Sequence, residues 1–154
     1  MAKIVVGVDP GVNGGVSFFH EDWIHVAKLP QNALDLLELI DEYTRMEESS
    51  VIYLEQIYLP AGKAGALGFA SGWGKCIAVA EILGMDLVKV RPQEWMKTLN
   101  CLTKGNKNVT KLKAGEIFGN VKYDDGKKMP ITHWSSDSLL IGYYGWKKEN
   151  QLTQ

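Results

Sequence analysis

The chain has 154 residues, 45% hydrophobic and 23% charged, a size and balance that suit a single compact domain spanning 1–154. No run of 18 apolar residues occurs, so no membrane span is expected, and the opening Met-Ala-Lys-Ile-Val-Val-Gly-Val lacks the charged lead and cleavage site of a secretory signal. The formal charge of −1 is unevenly spread: residues 89–128 carry ten basic and four acidic side chains, the rest seven basic and fourteen acidic.

In chain order, residues 3–9 are continuous and β-branched, as in a strand buried on both faces. Pro10-Gly11 and Asn13-Gly14-Gly15 break the chain. Residues 16–20 and 23–28 read as two strands joined by a Glu21-Asp22 turn, a hairpin. Leu36, Leu37, Ile40 and Tyr43 fall on one face of a helix over 33–46. Residues 51–55 form a short buried strand, and the Gly- and Ala-rich stretch 64–83 a helix. Residues 86–90 make a fifth strand. Pro92 then opens a short helix through Trp95 to Leu99.

A loop is expected over 103–108, then a helix over 109–118 with Leu112, Ile117 and Phe118 inward. Residues 124–130 read as a polar, mobile loop. The last helix is expected to begin near Thr132 and run through Trp146. Three strands followed by αβ alternation imply an α/β protein: a mixed five-stranded sheet flanked by helices.

Cys76 and Cys101 have neither metal spacing nor a disulfide framework, so reduced thiols and a cytoplasmic location are expected. The basic stripe on an otherwise acidic body suits a face that grips phosphate. It also suits a solvated lysine-rich loop.

Three acids stand where a strand or helix end could aim them at one point. Asp9 ends the first strand, Glu55 ends Val51-Ile52-Tyr53-Leu54, and Asp137 lies early in the last helix, with His133 one turn before it. Each alone has an ordinary role open to it: a turn-forming Asp9, a surface Glu55, a helix-start Asp137. Carboxylates brought together repel and raise one another's pKa, and divalent cations relieve that repulsion. Oxygen ligands suit Mg²⁺ and Mn²⁺, and one imidazole is compatible with either.

Four stretches, Val6-Gly7-Val8-Asp9-Pro10-Gly11 with Gly14-Gly15, Tyr53-Leu54-Glu55-Gln56, Val90-Arg91-Pro92-Gln93-Glu94-Trp95-Met96-Lys97 and Ser136-Asp137-Ser138-Leu139-Leu140-Ile141-Gly142, together resemble the RuvC-like Holliday junction resolvases, especially the small bacteriophage forms. The resemblance implies a ribonuclease H-like fold with the first three strands antiparallel and the fourth and fifth parallel. It also implies a homodimer that makes paired symmetric nicks in a four-way junction or other branched DNA. Asp9, Glu55 and Asp137 would be metal-binding and catalytic. The family usually has a fourth acid three or four residues before the last; His133 stands there and would take its place. Two Mg²⁺ or Mn²⁺ ions about 4 Å apart would serve phosphodiester hydrolysis. Lys107 would hold the scissile phosphate, and Lys104, Lys111, Lys113, Lys63 and Lys75 would join it on DNA.

The glycine-rich stretch 62–74 is left between a dimer contact, a DNA-facing loop and tight helix packing. Phe69 and Trp73 are left between a wedge at the branch point and the core. The Asp-Pro-Gly turn also resembles the phosphate hairpin of actin-like ATPases. Those need a second domain and an adenosine loop that 154 residues cannot hold, so no nucleotide cofactor is expected. An RNA-processing nuclease and a non-catalytic branched-DNA-binding module remain as alternatives.

Overall fold

The computed structural model describes residues 4–47, 49–56, 58, 62–123 and 126–151. Its strands are β1 (Ile4–Val8), β2 (Gly15–Phe19), β3 (Ile24–Lys28), β4 (Ser50–Glu55) and β5 (Asp86–Val90). They form one sheet in the order β3-β2-β1-β4-β5. The β1–β2 and β2–β3 pairs are antiparallel, and the β1–β4 and β4–β5 pairs parallel. The expected mixed sheet is what forms.

Each face of the sheet has its own core, as strand alternation requires. Ile4, Val6 and Val8 of β1 join Ile52 and Leu54 of β4 beneath α1 (Ala33–Thr44) and α2 (Ala66–Leu83), which contribute Leu36, Ile40, Cys76 and Val79. On the other face Val5, Val51 and Tyr53 meet α3 (Pro92–Thr98), α4 (Lys107–Phe118) and α5 (Ser136–Gln151) through Trp95, Phe118 and Leu139 to Ile141. Asp9 and Glu55 share the parity of Val5 and Tyr53, so both belong to the α5 face.

Several expected boundaries shift. α4 starts at Lys107, inside the expected loop, because the Asn106 side chain caps it by accepting from the Asn108 N–H at 3.0 Å. Its inward row is Thr110, Ala114 and Phe118, and Leu112, expected inside, is exposed. α5 starts at Ser136 rather than Thr132. Before it, the Thr132 and Ser135 hydroxyls each accept the other residue's backbone N–H, at 3.3 and 2.9 Å, closing a capping turn. Of residues 124–130, read as a loose polar loop, 124 and 125 lie outside the described residues. The rest close a small hairpin through the Lys122–Lys128 bridge, with Met129 buried.

α2 also departs from expectation. By length and mean hydropathy (1.3) it is apolar enough to cross a membrane, although no unbroken apolar run occurs. Here it packs one face on α1, β4 and β5 and leaves Leu67 and Ile82 exposed on the other.

Candidate active site

The acid cluster begins with strand register. Val8 of β1 lies level with Leu54 of β4 in a parallel pair, so the next residues, Asp9 and Glu55, leave the sheet side by side on one face. Strand ends on the carboxyl side of a parallel pair are where side chains can emerge together. Asp9 is fixed by its turn: its Oδ1 accepts from the Gly11 N–H at 3.2 Å and its own N–H donates to the Gly15 carbonyl at 3.1 Å. A Cβ on Gly14 would overlap the Asp9 carbonyl. Only glycine lets the chain double back this tightly.

Asp137 reaches the same place from α5, which lies across β1 and β2. The approach is close because Gly7 faces Gly142. A Cβ on Gly7 would sit 2.6 Å from the Ser138 carbonyl oxygen and closer still to Gly142. The Ser17 hydroxyl donates to that Ser138 carbonyl at 2.5 Å, tying helix to sheet. Asp137 occupies the first turn of α5, where the helix dipole favours negative charge.

All three carboxylates are buried, Asp9 7%, Glu55 8% and Asp137 5% exposed. Buried like charges need a cation or protons. Burial first, then Asp9 and Asp137, push the Glu55 carboxyl from 4.5 up to about 8, against the pull of the Trp95 N–H and Lys107. Burial and then Asp137 likewise raise Asp9. The cation the chain itself supplies is Lys107, whose Nζ lies 2.7 Å from Asp137 Oδ2. Burial works to lower the Lys107 pKa, but Asp137, Asp9 and Glu55 raise it overall.

Two features suit this pocket to a divalent cation. Asp137 Oδ1 is buried with no hydrogen-bond partner among the described residues, a costly state unless something else takes the lone pairs. Glu55 has one oxygen engaged, Oε2 accepting the Trp95 indole N–H at 2.9 Å. The donors are all carboxylate oxygens, which hard cations prefer.

His133 is exposed, in the turn before α5 rather than on the helix, so the shared helical face expected for it and Asp137 does not form. Among the described residues, the trio whose ligand atoms all lie within 4.8 Å of one another is His20, Glu21 and Asp22, at the far end of the sheet. Asp9, Glu55 and Asp137 are set wider, and Lys107 makes its ion pair with Asp137.

The other lysines scatter. Lys104 and Lys63 are exposed, and Lys111 is half-buried. Lys113 pairs with Glu116 at 2.9 Å. Lys75 donates to the Gln31 carbonyl at 2.6 Å, tying α2 to the chain before α1. Gly68 and Gly72 of α2 back onto Val12 and Pro10, so this part of the stretch 62–74 takes the tight-packing role. Trp73 is half-buried with Lys89 over its ring, 5.1 Å from the centroid. Sequence reasoning missed Trp95. The ring is wholly buried, and no local pattern announces that its N–H meets a carboxylate forty residues away.

The fold is of the ribonuclease H-like class. Among solved structures the chain is similar to Thermus thermophilus RuvC in complex with a Holliday junction substrate, at TM-score 0.61 and 17% identity over 96% of each chain. It is also similar to Thermus thermophilus RuvC alone, at TM-score 0.59 and 16% identity over the same shares. No protein-family model and no curated protein sequence matches the chain. The architecture is therefore that of RuvC.

Proposed function

We propose that this protein is a metal-dependent endonuclease that resolves four-way and other branched DNA by paired symmetric nicks. The observation that carries the reading is that three buried carboxylates, from β1, β4 and α5, lie near enough to raise one another's pKa, with Lys107 paired to Asp137 and Asp137 Oδ1 unpartnered among the described residues. The RuvC fold is consistent with it, and the junction in the related complex supplies the substrate class.

In this reading Asp9, Glu55 and Asp137 would hold Mg²⁺ or Mn²⁺, two ions per site, with His133, in the exposed turn before α5, as the fourth ligand. Ions held there would supply the charge that lowers the pKa of an attacking water and stabilises a leaving 3′-oxygen. The chain's residues set the geometry. The Gly11 N–H fixes Asp9 Oδ1, and the Trp95 N–H fixes Glu55 Oε2. Lys107, paired with Asp137 at 2.7 Å, would be the residue that holds a phosphate oxygen. Lys104, Lys111, Lys113, Lys63 and Lys75 give salt-dependent, sequence-independent grip on the backbone.

A homodimer would set two such sites on a two-fold junction, so paired cuts follow from symmetry. The outward face of α2, with Leu67 and Ile82 exposed, is the surface offered to a second copy. The reading sets the protein in the cytoplasm of a bacterial or phage-infected cell, where free Cys76 and Cys101 stay reduced.

The test is a labelled four-way junction incubated with Mg²⁺ or Mn²⁺, beside a duplex and a structured RNA. Symmetric cuts in the junction, abolished by EDTA, are expected. Preferential cutting of RNA, or binding without cutting, would replace the reading.

A further inference from the structure

Asp9 belongs to a turn with few side chains of its own to hold it. β1 ends at Val8, and Asp9 Oδ1 takes its direction from the Gly11 N–H at 3.2 Å. Gly11 and Gly14 offer nothing to pack, and Val12 and Asn13 at the tip are exposed. Behind Pro10, Gly11 and Val12 lies a cavity of about 90 Å³ rather than filled core.

Across that cavity the turn is tied by hydrogen bonds. Gln31, in the connection between β3 and α1, donates from Nε2 to the Val12 carbonyl at 3.2 Å and to the Leu29 carbonyl at 3.1 Å. Carbonyls only accept, so the amide nitrogen faces both and spends both of its N–H groups. The Leu29 N–H in turn donates to the Gly14 carbonyl at 3.0 Å. From the other side, Lys75 of α2 donates to the Gln31 carbonyl at 2.6 Å. One turn earlier on that helix, a Cβ on Gly72 would overlap the Pro10 carbonyl. A single exposed side chain thus joins the tip of the turn to the end of β3 and, through its own backbone, to α2. Exposed hydrogen bonds of this kind add little to stability. A metal ligand, however, must be held within about 0.5 Å of its productive place.

We infer that Gln31 is a positioning residue. It fixes the tip of the turn, and with it the Gly11 N–H and the Asp9 carboxylate, against Glu55 and Asp137. It touches neither substrate nor ion. The inference rests on the metal-site reading above and adds to it a residue from outside the acid cluster.

The test sets Gln31→Met, which keeps the length and loses both donors, beside Asn32→Ala. Asn32 caps α1, its side chain accepting from the Asp35 N–H at 2.8 Å. Its loss therefore destabilises the same connection without removing a bond to the turn. Mn²⁺ affinity is read by calorimetry on the full chain, with junction binding and single-turnover cleavage alongside. Gln31→Met is expected to weaken Mn²⁺ affinity and cleavage by roughly tenfold, the low end of what groups that orient a metal ligand supply, at unchanged junction affinity. Asn32→Ala is expected to lower the melting temperature while Mn²⁺ affinity stays at the wild-type value. Wild-type Mn²⁺ affinity in Gln31→Met overturns the inference. An equal loss in Asn32→Ala also overturns it, since the effect would then be one of stability. A chain that binds Mn²⁺, weakens in Gln31→Met and cuts no junction keeps the inference and overturns the nuclease reading. A wild type that binds no Mn²⁺ overturns both.

Discussion

Two groups of acids sit at opposite ends of the sheet. At the β2–β3 turn, His20, Glu21 and Asp22 bring their ligand atoms within 4.8 Å of one another. At the other end Asp9, Glu55 and Asp137 are set wider. By distance alone the first group is the better metal trap, yet the second carries the electrostatic demand. Glu21 and Asp22 are exposed, and water meets their charge. Asp22 and Glu47 also flank the His20 ring at 3.9 and 3.5 Å. The second group is buried, so its charges must be answered by protons, by Lys107 or by a cation. Proximity creates a site only where solvent has been removed.

The largest effect expected is at the buried group. Asp9→Asn should keep junction binding and lose cleavage by at least about 10²-fold, the scale on which a single group that stabilises the transition state counts. The measurement is single-turnover cleavage alongside gel-shift binding. Cleavage within a few fold of wild type would deny Asp9 its place at the site and move attention to the other end of the sheet.

Next comes Trp95→Phe, which keeps the buried ring but removes the N–H from Glu55 Oε2. Groups that orient a metal ligand are commonly worth about 10–100-fold in affinity. Mn²⁺ affinity by calorimetry should weaken by about that factor. A cation-dependent change in indole fluorescence should also be lost. Unchanged affinity would reduce the bond to packing.

The pH dependence sharpens the same contrast. Burial, then Asp9 and Asp137, push the Glu55 carboxyl up to about 8 in the folded state from an ordinary value of 4.5. Between those values the folded chain binds more protons than the unfolded one, so metal-free stability falls as pH rises from about 5 to 8. The loss is on the order of a few kcal/mol, the pull of Lys107 being already included in that value. Mg²⁺ or Mn²⁺ should raise the melting temperature more at pH 8 than at pH 5.5, since cation and proton compete for the same oxygens. A melting temperature flat across this range would mean that the carboxylates are solvated.

Much of this architecture is legible in the sequence because it is written in short-range patterns. All five strands stand where alternation and turn residues predict, and the hairpin at Glu21-Asp22 closes as expected. Asp9 and Glu55 are legible because strand ends place them. What was not legible depends on tertiary approach. Lys107 sits on α4 rather than in a loop because Asn106 caps the helix early. Trp95 meets Glu55 only once α3 has folded over the sheet. Gly7 and Gly142 read as weak points in a strand and a helix, yet they mark where α5 presses on β1. His133 was placed by helical spacing, and the helix begins three residues after it.

The smallest effect expected is at the exposed acids, and it completes the contrast. Glu21→Gln and Asp22→Asn should each change stability by less than about 0.5 kcal/mol, as exposed substitutions away from packed features do. Neither should alter the response of the melting temperature to Mn²⁺. Asp22 accounts for one of the two carboxylates beside His20, and Glu47 remains on the other ring nitrogen when it is replaced. If Asp22→Asn instead removed the Mn²⁺ response while Asp9→Asn left it intact, tight spacing would outweigh burial in this protein. The cation would then belong to the β2–β3 turn, far from the acids of β1, β4 and α5.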